Sequence, residues 1–203
     1  MRWIGLTGSM GTGKSTVGRM IEDRGFWVLS ADNLVHELLA QDEAVREQII
    51  KAFGPELVEE DGKISRERLA KIVFADPARL GQLEQILHPE VRRLAQQRRQ
   101  QAEAQGQRIA FYEVPLLFEK RLEGDFDAVV VVTCSPAEQR LRLIEQRKLS
   151  VTDIENRLAQ QLGEETKIRR ADYVIENRGS LSDLARAVEQ FLSDLLDGYQ
   201  DHE

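Results

Sequence analysis

The chain has 203 residues, 41% of them hydrophobic, and a formal charge of −7 at pH 7, so it can bury a sizeable core without covalent or metal staples. Bulk acidity argues against coating nucleic acid or an anionic membrane through whole-molecule charge. One cysteine, Cys134, excludes an internal disulfide and a cysteine-based metal site; with no run near the ~18 apolar residues of a membrane span, a soluble cytoplasmic protein is expected.

In chain order, residues 2–7 read as a first strand, and Gly8-Ser9-Met10-Gly11-Thr12-Gly13-Lys14-Ser15 follows it directly. This matches G-x-x-x-x-G-K-[ST], in which glycines let backbone N–H groups converge on phosphate oxygens at the start of a helix. Lys14 would reach the β- and γ-phosphates, and the Ser15 hydroxyl would hold Mg²⁺. The helical pattern that follows, with Val17, Met20 and Ile21, supplies the strand–loop–helix context the motif needs. No Asn-Lys-x-Asp guanine reader occurs in the chain, which separates it from GTPases.

A second strand over 26–30 leads into Ser30-Ala31-Asp32, at the carboxyl edge where open α/β sheets bind ligands. Asp32 could accept a substrate proton or reach Mg²⁺ through water, or it could simply cap the next helix. Nearly eighty residues of helical periodicity follow, punctuated at Gly54-Pro55, Asp61-Gly62 and Asp76-Pro77, too many for one crossover helix, so a helical subdomain is expected. A third strand over 108–114 carries Glu113 at its end, which could be a carboxylate near Mg²⁺ or substrate or a plain surface acid at a strand end. Leu116, Leu117 and Phe118 beyond it could be core or an apolar wall.

The run 127–134 is continuously apolar after Asp127, as a central strand covered on both faces would be. Residues 135–170 are dense in both charge signs and carry a net +2. A fifth strand over 172–177 precedes a last helix with Leu181, Leu184, Val188, Phe191, Leu192 and Leu195 on one stripe, and Ser180 with Asp183 resembles its capping box. Six acids and one base in residues 180–203 carry −5 of the total charge, leaving the rest nearly balanced.

With these residues in view the chain resembles the dephospho-CoA kinase family. The resemblance rests on Gly8–Thr16, Asp32 with His36, His88-Pro89-Glu90-Val91-Arg92, Val114-Pro115-Leu116-Leu117-Phe118-Glu119, Arg157-Leu158-Ala159-Gln160-Gln161 and Ala171–Asn177. It implies a three-layer α/β/α fold of the P-loop NTPase type with a five-stranded parallel sheet. Residues 1–33, 108–134 and 171–203 would form the nucleotide-binding core, 34–107 a helical acceptor-binding subdomain and 135–170 a helical lid.

It further implies ATP-dependent phosphorylation of the ribose 3′-hydroxyl of dephospho-CoA, the last step of coenzyme A biosynthesis, with Mg²⁺ as cofactor. The implied catalytic residues are Asp32 as base, Lys14, Arg140 and Arg147. ATP would be bound by Gly11, Thr12, Gly13, Lys14, Ser15, Thr16 and Asn177. The acceptor would be bound by His88, Arg92, Glu113, Leu116, Glu119 and Arg157, and Mg²⁺ by Ser15, with Asp32 acting through water. Partners would be ATP and dephospho-CoA, without nucleic acid or membrane, in a monomer or weak homo-oligomer. The competing readings are another small-molecule kinase of the same fold and a nucleotide-binding regulator that transfers nothing.

Overall fold

The computed structural model describes residues 1–59 and 61–200. Asp201 and Glu203 of the acidic tail lie outside them. The described chain divides into two compact units, one of residues 1–29 and 102–203, the other of residues 30–101.

The first unit is built on β1 (Arg2–Thr7), β2 (Trp27–Ser30), β3 (Ile109–Glu113), β4 (Ala128–Thr133) and β5 (Tyr173–Glu176), in the order β2-β3-β1-β4-β5. β1 pairs in parallel with β3 and β4, and β4 with β5. The register is pinned at the strand starts. Asp127 accepts the Trp3 N–H at 2.6 Å while its own N–H reaches the Trp3 carbonyl, and Asp172 does the same with Val129.

Alternation sorts the strands between two apolar layers. Ile4, Leu6, Phe111, Val130 and Val132 meet α1 (Lys14–Glu22) and α9 (Leu181–Gln200), while Val129 packs on Val114, Leu117 and Phe118 on the other side. β4 is buried along its whole length because both faces are covered, which accounts for its unbroken Val run. Leu117 and Phe118 are therefore core. The turn that carries them comes so close to β1 that a Cβ at Gly5 would lie 2.7 Å from Leu117 Cδ1. The last-helix stripe is buried from Leu184 onward, but Leu181, in the first turn, is 69% exposed.

Residues 135–170 form α6 (Pro136–Arg147), α7 (Val151–Ala159) and α8 (Glu164–Arg170). Ser135 and Glu138 make a full capping box for α6, and Ser150 caps α7.

The second unit comprises α2 (Ala31–Gln41), α3 (Glu43–Phe53), α4 (Arg66–Ala75) and most of α5 (Pro77–Ala104). Asp42 alone separates α2 from α3 and caps the latter by accepting the Val45 N–H. Gly54, at φ 105°, ends α3, and Asp76 separates α4 from α5. α5 runs on through Pro89, which forfeits one backbone bond without ending the helix. The unit's core comes from Leu34, Leu38, Ile49, Leu57 and Leu69.

Burial pushes the Cys134 thiol up to about 11, so native protein at pH 8 should resist Ellman's reagent and react only on unfolding. Prompt labelling of the folded chain would contradict this burial. At α9, the hydroxyl and backbone N–H of Ser180, followed by Arg186, hold Asp183 down at about 2. The folded state thus favours the carboxylate, and its contribution is complete above the ordinary value of 3.8 and lost as pH falls through about 2. Ser180→Ala should flatten the stability-versus-pH curve in that window, as read by urea unfolding.

Candidate active site

The loop between β1 and α1 begins where the sheet order reverses, with β3 on one side of β1 and β4 on the other, the position at which open parallel sheets bind ligands. Gly11 (φ 84°) and Gly13 (φ 96°) take left-handed backbone. Gly13 is doubly constrained, because a Cβ there would sit 2.1 Å from Asn177 Nδ2. The buried Thr12 closes the turn by donating its hydroxyl (2.9 Å) and N–H (3.2 Å) to the Ser9 carbonyl.

The rest of the loop is held by side chains from the chain's second half. Met10 donates its N–H to Gln161 Oε1 (3.1 Å), and its carbonyl accepts from Gln139 Nε2 (2.7 Å). The Thr12 carbonyl accepts from Asn177 Nδ2 (2.7 Å) and Arg142 (3.4 Å), and Ser9 Oγ accepts from Lys167 Nζ (3.0 Å). At the start of α1, Thr16 and Val17 donate their N–H groups to the Gly13 carbonyl at 2.9 and 3.1 Å, which leaves the N–H groups of Lys14 and Ser15 ahead of them as the ones a helix start offers to an anion.

Glu113, buried at the end of β3 and in register with Leu6, collects the two residues that end the motif. Its Oε1 accepts from Lys14 Nζ at 2.8 Å and from Ser15 Oγ at 2.7 Å. The two oxygens of this set, Ser15 Oγ and Glu113 Oε1, suit Mg²⁺, which needs only one or two protein oxygens when phosphates and water supply the rest. Among the described residues no group of three or more His, Cys, Asp or Glu could hold a metal by itself.

The remaining expected site residues are dispersed. Asn177 is buried and bonded to the loop. Arg140, Arg147 and Arg157 are exposed on α6 and α7, and Leu116 is half-buried. Glu119 pairs with Lys167 at 2.9 Å and accepts the Leu162 N–H, while its Oε2 is buried without a hydrogen-bond partner. In the other unit, Asp32 is exposed in the first turn of α2; Ser30, not Asp32, occupies the cap position, so the capping role is not the one Asp32 fills. His88 and Arg92 are exposed one turn apart on α5, His88 lying 4.0 Å from Glu84.

In the sequence Arg142 and Lys167 stand among the eight bases of residues 135–170, and nothing in their neighbours sets them apart from the others. Helical spacing carried the missing signal for Gln139, which lies four residues before the buried Leu143 and so shares its inward face.

A five-stranded sheet in this order, with a glycine loop at its reversal and a buried carboxylate beside the loop lysine, is that of the P-loop kinases. The family model for dephospho-CoA kinase matches residues 2–183. A Corynebacterium glutamicum dephospho-CoA kinase is 36% identical over 192 residues, which cover 95% of this chain and 98% of that protein. Among solved structures, a Thermus thermophilus protein has a TM-score of 0.79 at 39% identity, covering 96% of this chain and 97% of its own. The dephospho-CoA kinase from Campylobacter jejuni has a TM-score of 0.73 at 27% identity, covering 97% of this chain and 98% of its own. The chain belongs to the dephospho-CoA kinase family, whose members use ATP in the final step of coenzyme A synthesis. No helix among the described residues is long and apolar enough to cross a membrane.

The Gly13–Asn177 approach is directly testable. Gly13→Ala should cost about 1–3 kcal/mol from left-handed backbone alone, plus the overlap, and should weaken ATP binding. Because Asn177 also donates to the Thr12 carbonyl, the overlap is read from a double-mutant cycle: Asn177→Ala should cost less stability in the Gly13→Ala background than in the wild type, by thermal unfolding. An equal cost in both backgrounds would show that the overlap is not what excludes a side chain.

Proposed function

We propose that residues 8–16 hold the triphosphate of ATP while Asp32 takes the proton of the ribose 3′-hydroxyl of dephospho-CoA, so that the γ-phosphoryl group passes to that oxygen. The observation that carries the reading is the convergence of Lys14 and Ser15 on one buried oxygen of Glu113. On nucleotide binding Lys14 would exchange this partner for the β- and γ-phosphates, giving a charge-assisted contact where negative charge spreads during transfer. The Ser15 hydroxyl, backed by Glu113 and with Asp32 acting through water, would hold Mg²⁺. The metal, when bound, neutralises charge on the β- and γ-oxygens.

Asp32 suits the base role because its carboxylate is exposed, takes part in no hydrogen bond or ion pair among the described residues and does not cap its helix. A base needs a free lone pair. Among the arginines of 135–170 we assign the phosphate-facing role first to Arg142, whose guanidinium already reaches Thr12, and only then to the exposed Arg140 and Arg147. The segment as a whole would act as a lid that keeps water from the γ-phosphate. His88, Arg92, Leu116 and Arg157 are assigned to the acceptor, and Asn177 to the loop and the nucleotide. Glu113 and Glu119 are committed inside the protein, to Lys14 with Ser15 and to Lys167.

The deciding assay incubates the protein with Mg-ATP and a panel of acceptors, dephospho-CoA among nucleoside monophosphates and sugar acids, and follows coenzyme A by chromatography. Turnover of another acceptor without coenzyme A would overturn the reading. Asp32→Asn should lower kcat by about 10²- to 10⁴-fold with ATP affinity unchanged in calorimetry. Full activity in that variant would remove Asp32 from the base role.

A further inference from the structure

Lysine is among the residues least often buried, since its ammonium normally reaches solvent along a flexible stem. Lys167, on α8, is 1% exposed. Its ammonium lies 2.9 Å from Glu119 Oε1 and 3.0 Å from Ser9 Oγ. A buried ion pair is a poor device for stability alone, because well-packed apolar residues of similar volume do as well or better. The lysine is needed only if its other partner is. That partner is the second residue of the phosphate loop, whose carbonyl in turn receives both donors of Thr12.

From these contacts we infer that Lys167 is a positioning residue for phosphoryl transfer: its ammonium, neutralised by Glu119, fixes Ser9 and with it the first half of the phosphate loop. Two neutral side chains, Gln161 and Gln139, hold Met10 next to it. Lys167 is the charged member of this grip. Glu119 is placed for the task by the Leu162 N–H, which shares its Oε1 at 2.9 Å, while its Oε2 is buried without a hydrogen-bond partner. The lysine is thus the side chain that holds this carboxylate in place, and the carboxylate is what lets the lysine stay buried. The inference rests on residues 8–15 being the ATP phosphate loop, and it makes Lys167 act through Ser9 and not on substrate.

The test compares three full-length variants with the wild type by steady-state kinetics and thermal unfolding. Ser9→Ala removes the contact and leaves the ion pair, so Tm should stay within about 2 °C while KM for ATP rises about three- to tenfold. Lys167→Met/Glu119→Leu replaces the pair by apolar side chains and should fold, with KM for ATP raised about tenfold or more and KM for dephospho-CoA within twofold. Lys167→Arg, which retains charge and donors, should recover part of the ATP effect. Wild-type ATP parameters in both Ser9→Ala and the double variant would overturn the inference. So would a lowered Tm with equal losses toward both substrates, which is what a purely structural pair gives. If the wild type transfers phosphate to some other acceptor, the proposed function fails; the Lys167 assignment is then decided by the same ATP comparison with that acceptor.

Discussion

A backbone loop that offers its N–H groups to a ligand must turn its carbonyls the other way, and in this protein the other way is into the protein. Buried carbonyls need donors. The loop cannot supply them all itself: Thr12 satisfies Ser9, but Met10 and Thr12 depend on Gln139, Asn177 and Arg142. These residues follow β4 and β5 in the chain. A motif complete within eight residues therefore requires strands and helices more than a hundred positions later to assume its shape.

Glu113 solves the companion problem on the opposite side of the loop. An unneutralised lysine in a mostly buried site would be costly, and the β3 carboxylate 2.8 Å away removes that cost. The parallel pairing of β1 with β3, in which Leu6 opposes Glu113, sets this distance. Sheet register and site electrostatics are thus linked through one residue pair.

Much of this architecture could be read before the structure was known. The strands show because β4 is apolar throughout and the flanking segments carry helical spacing, and the α9 cap shows because Ser180 and Asp183 stand three apart. The phosphate loop shows because its glycines answer to local backbone demands that leave a trace in eight consecutive letters. What stayed hidden depends on tertiary approach. The 2.1 Å limit that Asn177 places on Gly13, the burial of Lys167 and the commitment of Glu119 to that lysine all join positions far apart in the chain. Charge density in 135–170 made its bases look alike, and only packing separates Arg142 and Lys167, turned toward the loop, from the solvated Arg140 and Arg147.

Gln139, Arg142, Gln161 and Lys167 all belong to residues 135–170, and all end on loop residues 9–12. Order in that segment and the shape of the loop therefore share one equilibrium. By thermodynamic reciprocity, any free energy by which a nucleotide tightens the loop is returned to the segment as added order, and any loosening of the segment is charged in equal measure to nucleotide affinity. On the proposed reading of residues 8–16, substitutions on α6, α7 or α8 that never meet a substrate would for this reason tune how firmly ATP is held.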